Sequence, residues 1–126
     1  MTLRNAVVKA AFWIPLGACT AVAFTANPTG IAAELSGMLA HAAAFTYLAI
    51  ALCIAHFRTG PVLAAALWML AFGVAIEVGQ TFIPGRYGEL LDVAIDGAGI
   101  LVGCLIYRLL SLQVLVGDRA LGRGRD

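Results

Sequence analysis

Six residues of this 126-residue sequence carry most of its chemical capacity: His41, Glu77, Gln80, Arg86, Asp92 and Asp96. Glu77 and Gln80 are three positions apart, and Asp92 and Asp96 four, so each pair shares one face of a helix. Carboxylates and an imidazole are acid–base groups, which makes His41, Glu77, Asp92 and Asp96 the candidate catalytic residues. Arg86 is the group suited to an anion, because its planar fork holds two oxygens at once. All six are candidates for ligand binding. If every group ionises, the three acids outweigh Arg86 by two negative charges. In apolar surroundings that excess needs compensation. Protonated carboxyls, a protonated His41, or a divalent cation such as Mg²⁺ held by the carboxylates and Gln80 would each supply it. Neither a cysteine nor a second histidine belongs to the pattern, so a typical zinc site is not expected, and no resident cofactor is implied.

The elements that position these residues follow from composition. Hydrophobic residues make up 62% of the chain and charged residues 12%, with a mean hydropathy of +0.95. Ordinary soluble domains are roughly 45–50% apolar and about 25% charged. A water-soluble globule of this size could not hide so much apolar surface. The composition therefore excludes a soluble enzyme, a disordered tail and a secreted disulfide scaffold. A net charge of +1 implies no nucleic-acid partner. Cys19, Cys53 and Cys104 all lie in apolar runs and read as small buried residues.

A spanning helix needs roughly 20 mostly apolar residues. Four stretches qualify, at about 6–25, 38–57, 62–83 and 90–110, followed by a basic tail over 111–126. The expected fold is an all-α membrane protein, an antiparallel bundle of four transmembrane helices in one domain. Turn formers separate the spans: Asn27-Pro28-Thr29-Gly30, then Thr59-Gly60-Pro61, then Pro84-Gly85. With both termini in the cytoplasm, seven of the eight basic residues lie inside, and Arg86 is the exception. A rival reading takes Met1–Lys9 as the start of a signal peptide and Cys19 as a lipidated N-terminus. Pro15 and the apolar run that continues through Phe24 argue against it.

Ionisable residues inside membrane helices are costly and mark function by default. Glu77 lies six residues from the outer end of its span and Asp96 six from the outer start of the next, so both sit roughly 9 Å deep. His41 is three residues into its span, roughly 4–5 Å deep. The acidic stripe continues inward as Gly99 and Gly103, a spacing that lets another helix approach closely, while Ile100 is expected to point elsewhere. Gly73, four residues before Glu77, is expected to let a helix approach α-helical span three in the same way. His56 reads as a helix–helix hydrogen-bonding residue. Glu34 and Glu89 read as solvated loop acids, and Trp13, Trp68 and Tyr107 as interface anchors.

The run from Glu77 to Arg86, E-x-x-Q-x-F-x-P-x-R, followed by Asp92, Asp96 and Gly99, resembles the signature of the VanZ-like family of small bacterial membrane proteins. His41 matches a histidine on an earlier helix of that pattern. The resemblance runs from about His41 to Gly103. Gly37 and Met38 stand where the family carries an acid and a lysine, and Asp96 stands where it usually carries Asn. The resemblance implies the bacterial cytoplasmic membrane and a cell-envelope role, and it links the family to resistance to the glycopeptide teicoplanin.

Three functions fit. In the first, an outward-facing polar pocket binds an anionic lipid or cell-wall precursor. In the second, an intramembrane enzyme acts on a polyprenyl phosphate or a similar amphiphile. In the third, the chain is a structural subunit with a membrane-protein partner.

Overall fold

Within a bilayer no water is available to backbone N–H and C=O groups, so a spanning segment must satisfy them itself. A computed structural model describes residues 2–25 and 31–120, with side chains described over 2–25 and 37–117. These residues form four helices: α1 (Leu3–Ala23), α2 (Ile31–His56), α3 (Val62–Gln80) and α4 (Leu90–Ala120). All four are long and apolar enough to cross a membrane. The chain is a multi-pass membrane protein. The Asn27–Gly30 turn lies outside the described residues.

The helix ends follow from local chemistry. Thr2 caps α1, its hydroxyl accepting the Asn5 N–H at 3.4 Å. α3 stops at Gln80, before Ile83 begins a turn closed by the Arg86 N–H on the Ile83 carbonyl at 3.1 Å. Pro84 occupies the second position of that turn. Gly85 occupies the third with φ +81°, a conformation that glycine adopts without strain. Two helices outrun their expected bounds. α2 starts at Ile31, which puts Glu34 in a helix rather than a loop. α4 continues through the Leu- and Val-rich stretch expected to open the tail, as far as Ala120, and no proline interrupts it.

Consecutive helices run in opposite senses, and alternate helices in the same sense. Early α1 residues (Arg4 to Lys9) lie beside the end of α2 (Ile54 to Arg58), while Ala11 meets Tyr47 further back along α2. α3 and α4 meet near Gly73 and Asp96. Along α2 and α4, His41 meets Asp96, Ala42 meets Gly99 and Thr46 meets Gly103, rising together in number. The α2–α4 interface is the most extensive in the bundle. Its core joins Leu48, Ala49 and Cys53 of α2 to Ile100 and Cys104 of α4, with Phe12 and Met69 closing it from α1 and α3. No disulfide occurs among the described cysteines.

Gly99 and Gly103 carry this interface, as their spacing predicts. A Cβ at Gly99 would lie 2.6 Å from the Ala42 carbonyl oxygen, and one at Gly103 would lie 2.5 Å from that of Thr46. The Thr46 hydroxyl donates across the seam to the Gly99 carbonyl at 3.1 Å. Ile100 does not point away; it is buried at 3% exposure. It stands one turn from Asp96, and the buried face of α4 is wide enough to include both. Tyr107, expected at an interface, packs against the core. Trp13 and Trp68 remain partly exposed, yet their rings meet edge-on at 6.3 Å. His56 bridges helices as expected, accepting the Trp13 indole N–H at 3.2 Å.

Pro15 interrupts the backbone bonding of α1. Lacking an N–H, it leaves the Ala11 carbonyl without its helical donor. The Tyr47 hydroxyl of α2 donates to that carbonyl at 2.7 Å. Replacing Tyr47 with Phe should destabilise the bundle by about 1–3 kcal/mol, because it strands a carbonyl away from water. In a Pro15→Ala background, where residue 15 regains its N–H, the same replacement should cost clearly less. Thermal or denaturant unfolding in detergent measures both. Equal losses in the two backgrounds would disprove the pairing.

Candidate functional site

Glu77, Gln80 and Asp96 are the buried polar side chains among the described residues. All three lie toward the end of the bundle that holds the α3–α4 turn. Asp96, on the second turn of α4, is fully buried. It fits because Gly73 of α3 has no side chain: a Cβ there would lie 3.0 Å from Asp96 Oδ2 and 3.2 Å from the Phe45 ring. Asp96 Oδ1 lies 2.9 Å from His41 Nδ1. His41 thus meets Asp96 directly, and α2 begins ten residues before it.

Glu77 approaches the same point from α3. Its Oε2 accepts the Glu89 N–H at 2.9 Å and so ties the start of α4 to α3. This also assigns Glu89 a role through its backbone, while its side chain stays exposed, as expected of a loop acid. The link passes tightly over α3 at Gly88, where a Cβ would lie 2.5 Å from the Glu77 carbonyl oxygen. Two carboxylate oxygens, Glu77 Oε1 and Asp96 Oδ2, are buried with no partner among the described residues. One ligand atom from each of His41, Glu77 and Asp96 falls within 4.8 Å of the others. Asp92, one turn from Asp96, is half-buried.

Gln80 and Arg86 turn to other work. Gln80 Nε2 donates to the Ala23 carbonyl at 2.9 Å. Arg86 Nη1 donates to the same carbonyl, and to that of Thr25 at 2.6 Å. These oxygens stand at the C-terminal end of α1, where the last carbonyls have no helical donor and the helix dipole favours a cation. Two of the six expected site residues thus clamp α1 to the α3–α4 turn. Of the other four, His41, Glu77 and Asp96 gather where α2, α3 and α4 meet, and Asp92 stands one turn from Asp96. The share of Gln80 and Arg86 in holding α1 was not legible in the sequence, since backbone carbonyls carry no residue-type signal.

The acid–histidine group can bind or pass a proton, and its two unpartnered oxygens can receive a cation. The buried carboxylate that holds His41 fixes the ring while part of the imidazole stays accessible, at 25% side-chain exposure. The turn beside it, from Thr81 to Gly88, borders a shallow groove with Phe82 and Tyr87 exposed.

A family model described as VanZ/LLP1 matches residues 2–111. No curated protein and no solved structure matches the chain.

The clamp on α1 has a measurable consequence. Arg86→Ala removes the donor to two carbonyls and should lower stability by about 1–3 kcal/mol. Arg86→Lys restores a charge without the fork and should recover only a fraction of the loss. Detergent unfolding curves test both, and an Ala variant as stable as the parent would rule out the clamp.

Proposed function

Because the chain belongs to the VanZ/LLP1 family, we propose that it is a cell-envelope protein of the bacterial cytoplasmic membrane that binds the headgroup of an anionic lipid or cell-wall precursor. One observation carries the reading. An otherwise apolar bundle gathers His41, Glu77 and Asp96 at a single point near one end, with unpartnered buried oxygens. Buried ionisable groups are too costly in a membrane to persist without use. Their position supports a headgroup ligand. The groove at the adjacent turn is bordered by the exposed rings of Phe82 and Tyr87, which suit the interfacial layer. Glycopeptide resistance, to which the family resemblance points, would then follow from holding an envelope precursor.

A second reading has a specific observation in its favour. A histidine fixed through Nδ1 by a buried carboxylate is a common arrangement for a general base. The His41–Asp96 contact supports an intramembrane enzyme acting on a polyprenyl phosphate or a similar amphiphile. Turnover of such a substrate separates the two.

Lipid mass spectrometry on protein extracted in mild detergent tests the first reading. A phospholipid or polyprenyl phosphate should copurify and should be depleted in His41→Ala, whose folding is checked by gel filtration. An unchanged lipid complement in the folded variant would sink the proposal.

The same reading requires the α3–α4 turn to face outward and both termini to lie in the cytoplasm, as the distribution of basic residues supports. Tyr87, 84% exposed, is the position to probe. Gly88 is not, because a side chain there meets the Glu77 backbone. A cysteine at position 87 should react with an impermeant maleimide in intact cells. Reaction only after permeabilisation would invert the topology.

A further inference from the structure

We propose that His41, Glu77 and Asp96 form a three-ligand site for a divalent first-row metal ion. Each ligand comes from a different helix, α2, α3 and α4, and their donor atoms converge within 4.8 Å. Convergence of acids alone would not carry this conclusion. The second observation is that Glu77 Oε1 and Asp96 Oδ2 are buried and have no hydrogen-bond partner among the described residues. Glu77 is 5% exposed and Asp96 0%. Unpaired carboxylate oxygens out of reach of water are expensive, and a cation removes that cost.

The spacing of one pair already suits an ion. Two adjacent ligand atoms that each stand about 2.1 Å from one metal are about 3.0 Å apart at a right angle. His41 Nδ1 and Asp96 Oδ1 are 2.9 Å apart. A metal that replaces the proton sits beside the line joining them, so the ring and the carboxylate turn to aim at it, and Asp96 binds through both oxygens if Oδ2 is to gain a partner. The donor set also selects the class of ion. An imidazole nitrogen with two carboxylate oxygens suits Mn²⁺, Fe²⁺ or Zn²⁺ better than an all-oxygen ion. Mg²⁺, one of three compensations the sequence allowed, fits an imidazole ligand less well than these ions do. Gly73 completes the design, since any larger residue would press on Asp96 Oδ2.

Three protein ligands leave positions on the ion open. The partial exposure of His41 gives them a route to the surface. An open position next to the turn groove would take a phosphate oxygen, so an acidic cluster could hold an anionic headgroup. That last step rests on the headgroup reading; the metal site itself does not.

The test uses the full chain in detergent, stripped with EDTA and titrated with MnCl₂ or ZnCl₂. Calorimetry reads both ions, and electron paramagnetic resonance reads free Mn²⁺. One ion per chain should bind. Asp96→Asn and Glu77→Gln, close in shape to the parent, should each weaken binding at least about ten-fold, since even outer partners of a metal ligand are worth that much. His41→Gln, at a half-buried position, provides a third variant should either buried replacement fail to fold. Glu89→Gln, an exposed acid nearby, should bind as the parent does. Absence of stoichiometric binding by either ion, or equal affinity in all the folded ligand variants, would overturn the site. Lipid that copurifies with protein unable to bind metal would defeat this proposal and leave the headgroup reading standing. Metal bound with no lipid would do the reverse.

Discussion

At Gly99 and Gly103, α4 lies against α2 with no room for a side chain between the backbones. The rest of the structure depends on that contact. Lipid supplies no hydrophobic drive between helices, so close packing and polar contacts must hold them together. Small residues on both sides make the approach possible: Ala42, Thr46 and Ala49 on α2 face the two glycines on α4. The approach also sets the register between the helices. With Gly99 against Ala42, the preceding turn of α4 brings Asp96 to His41. A seam built for packing is thereby also the support of the polar site. α3 then joins through a third glycine, Gly73, which leaves space for the Asp96 carboxylate.

A second constraint explains the remaining polar contacts. Several backbone groups that a helix cannot satisfy are answered by a neighbouring helix. Pro15 frees the Ala11 carbonyl, and Tyr47 fills it. α1 ends, and Gln80 and Arg86 take its last carbonyls. α4 begins, and Glu77 accepts the Glu89 N–H just before it. These bonds tie α1 to α2, α1 to the α3–α4 turn, and α3 to α4. The polar side chains are thus divided between two duties. Some repair the backbone, and one group, with oxygens left over, is available for chemistry. In Glu77 both duties meet, since one oxygen caps and the other stays unpartnered.

The sequence by itself determined the class, the four spans and the residues worth watching. Those properties are local. Apolar length, turn formers such as Pro84-Gly85, and the expense of charge in lipid can be read one segment at a time. The glycine stripe at 99 and 103 was legible for the same reason, because helical spacing alone puts both on one face. Ile100 shows the limit of that reading: a face has a width, and only the neighbouring helix decides how much of it is covered. Tertiary structure alone decided the allocation of partners. Arg86 and the acids are close in sequence and share a motif, yet its guanidinium goes to the end of α1, more than 60 residues earlier. The pairing of His41 with Asp96 depended on the register between two helices that are not consecutive. Such pairings are set by backbone carbonyls and by glycines that leave room, neither of which has a side-chain signature. The sequence therefore names the groups able to do chemistry, and only the packing of the helices settles which of them meet.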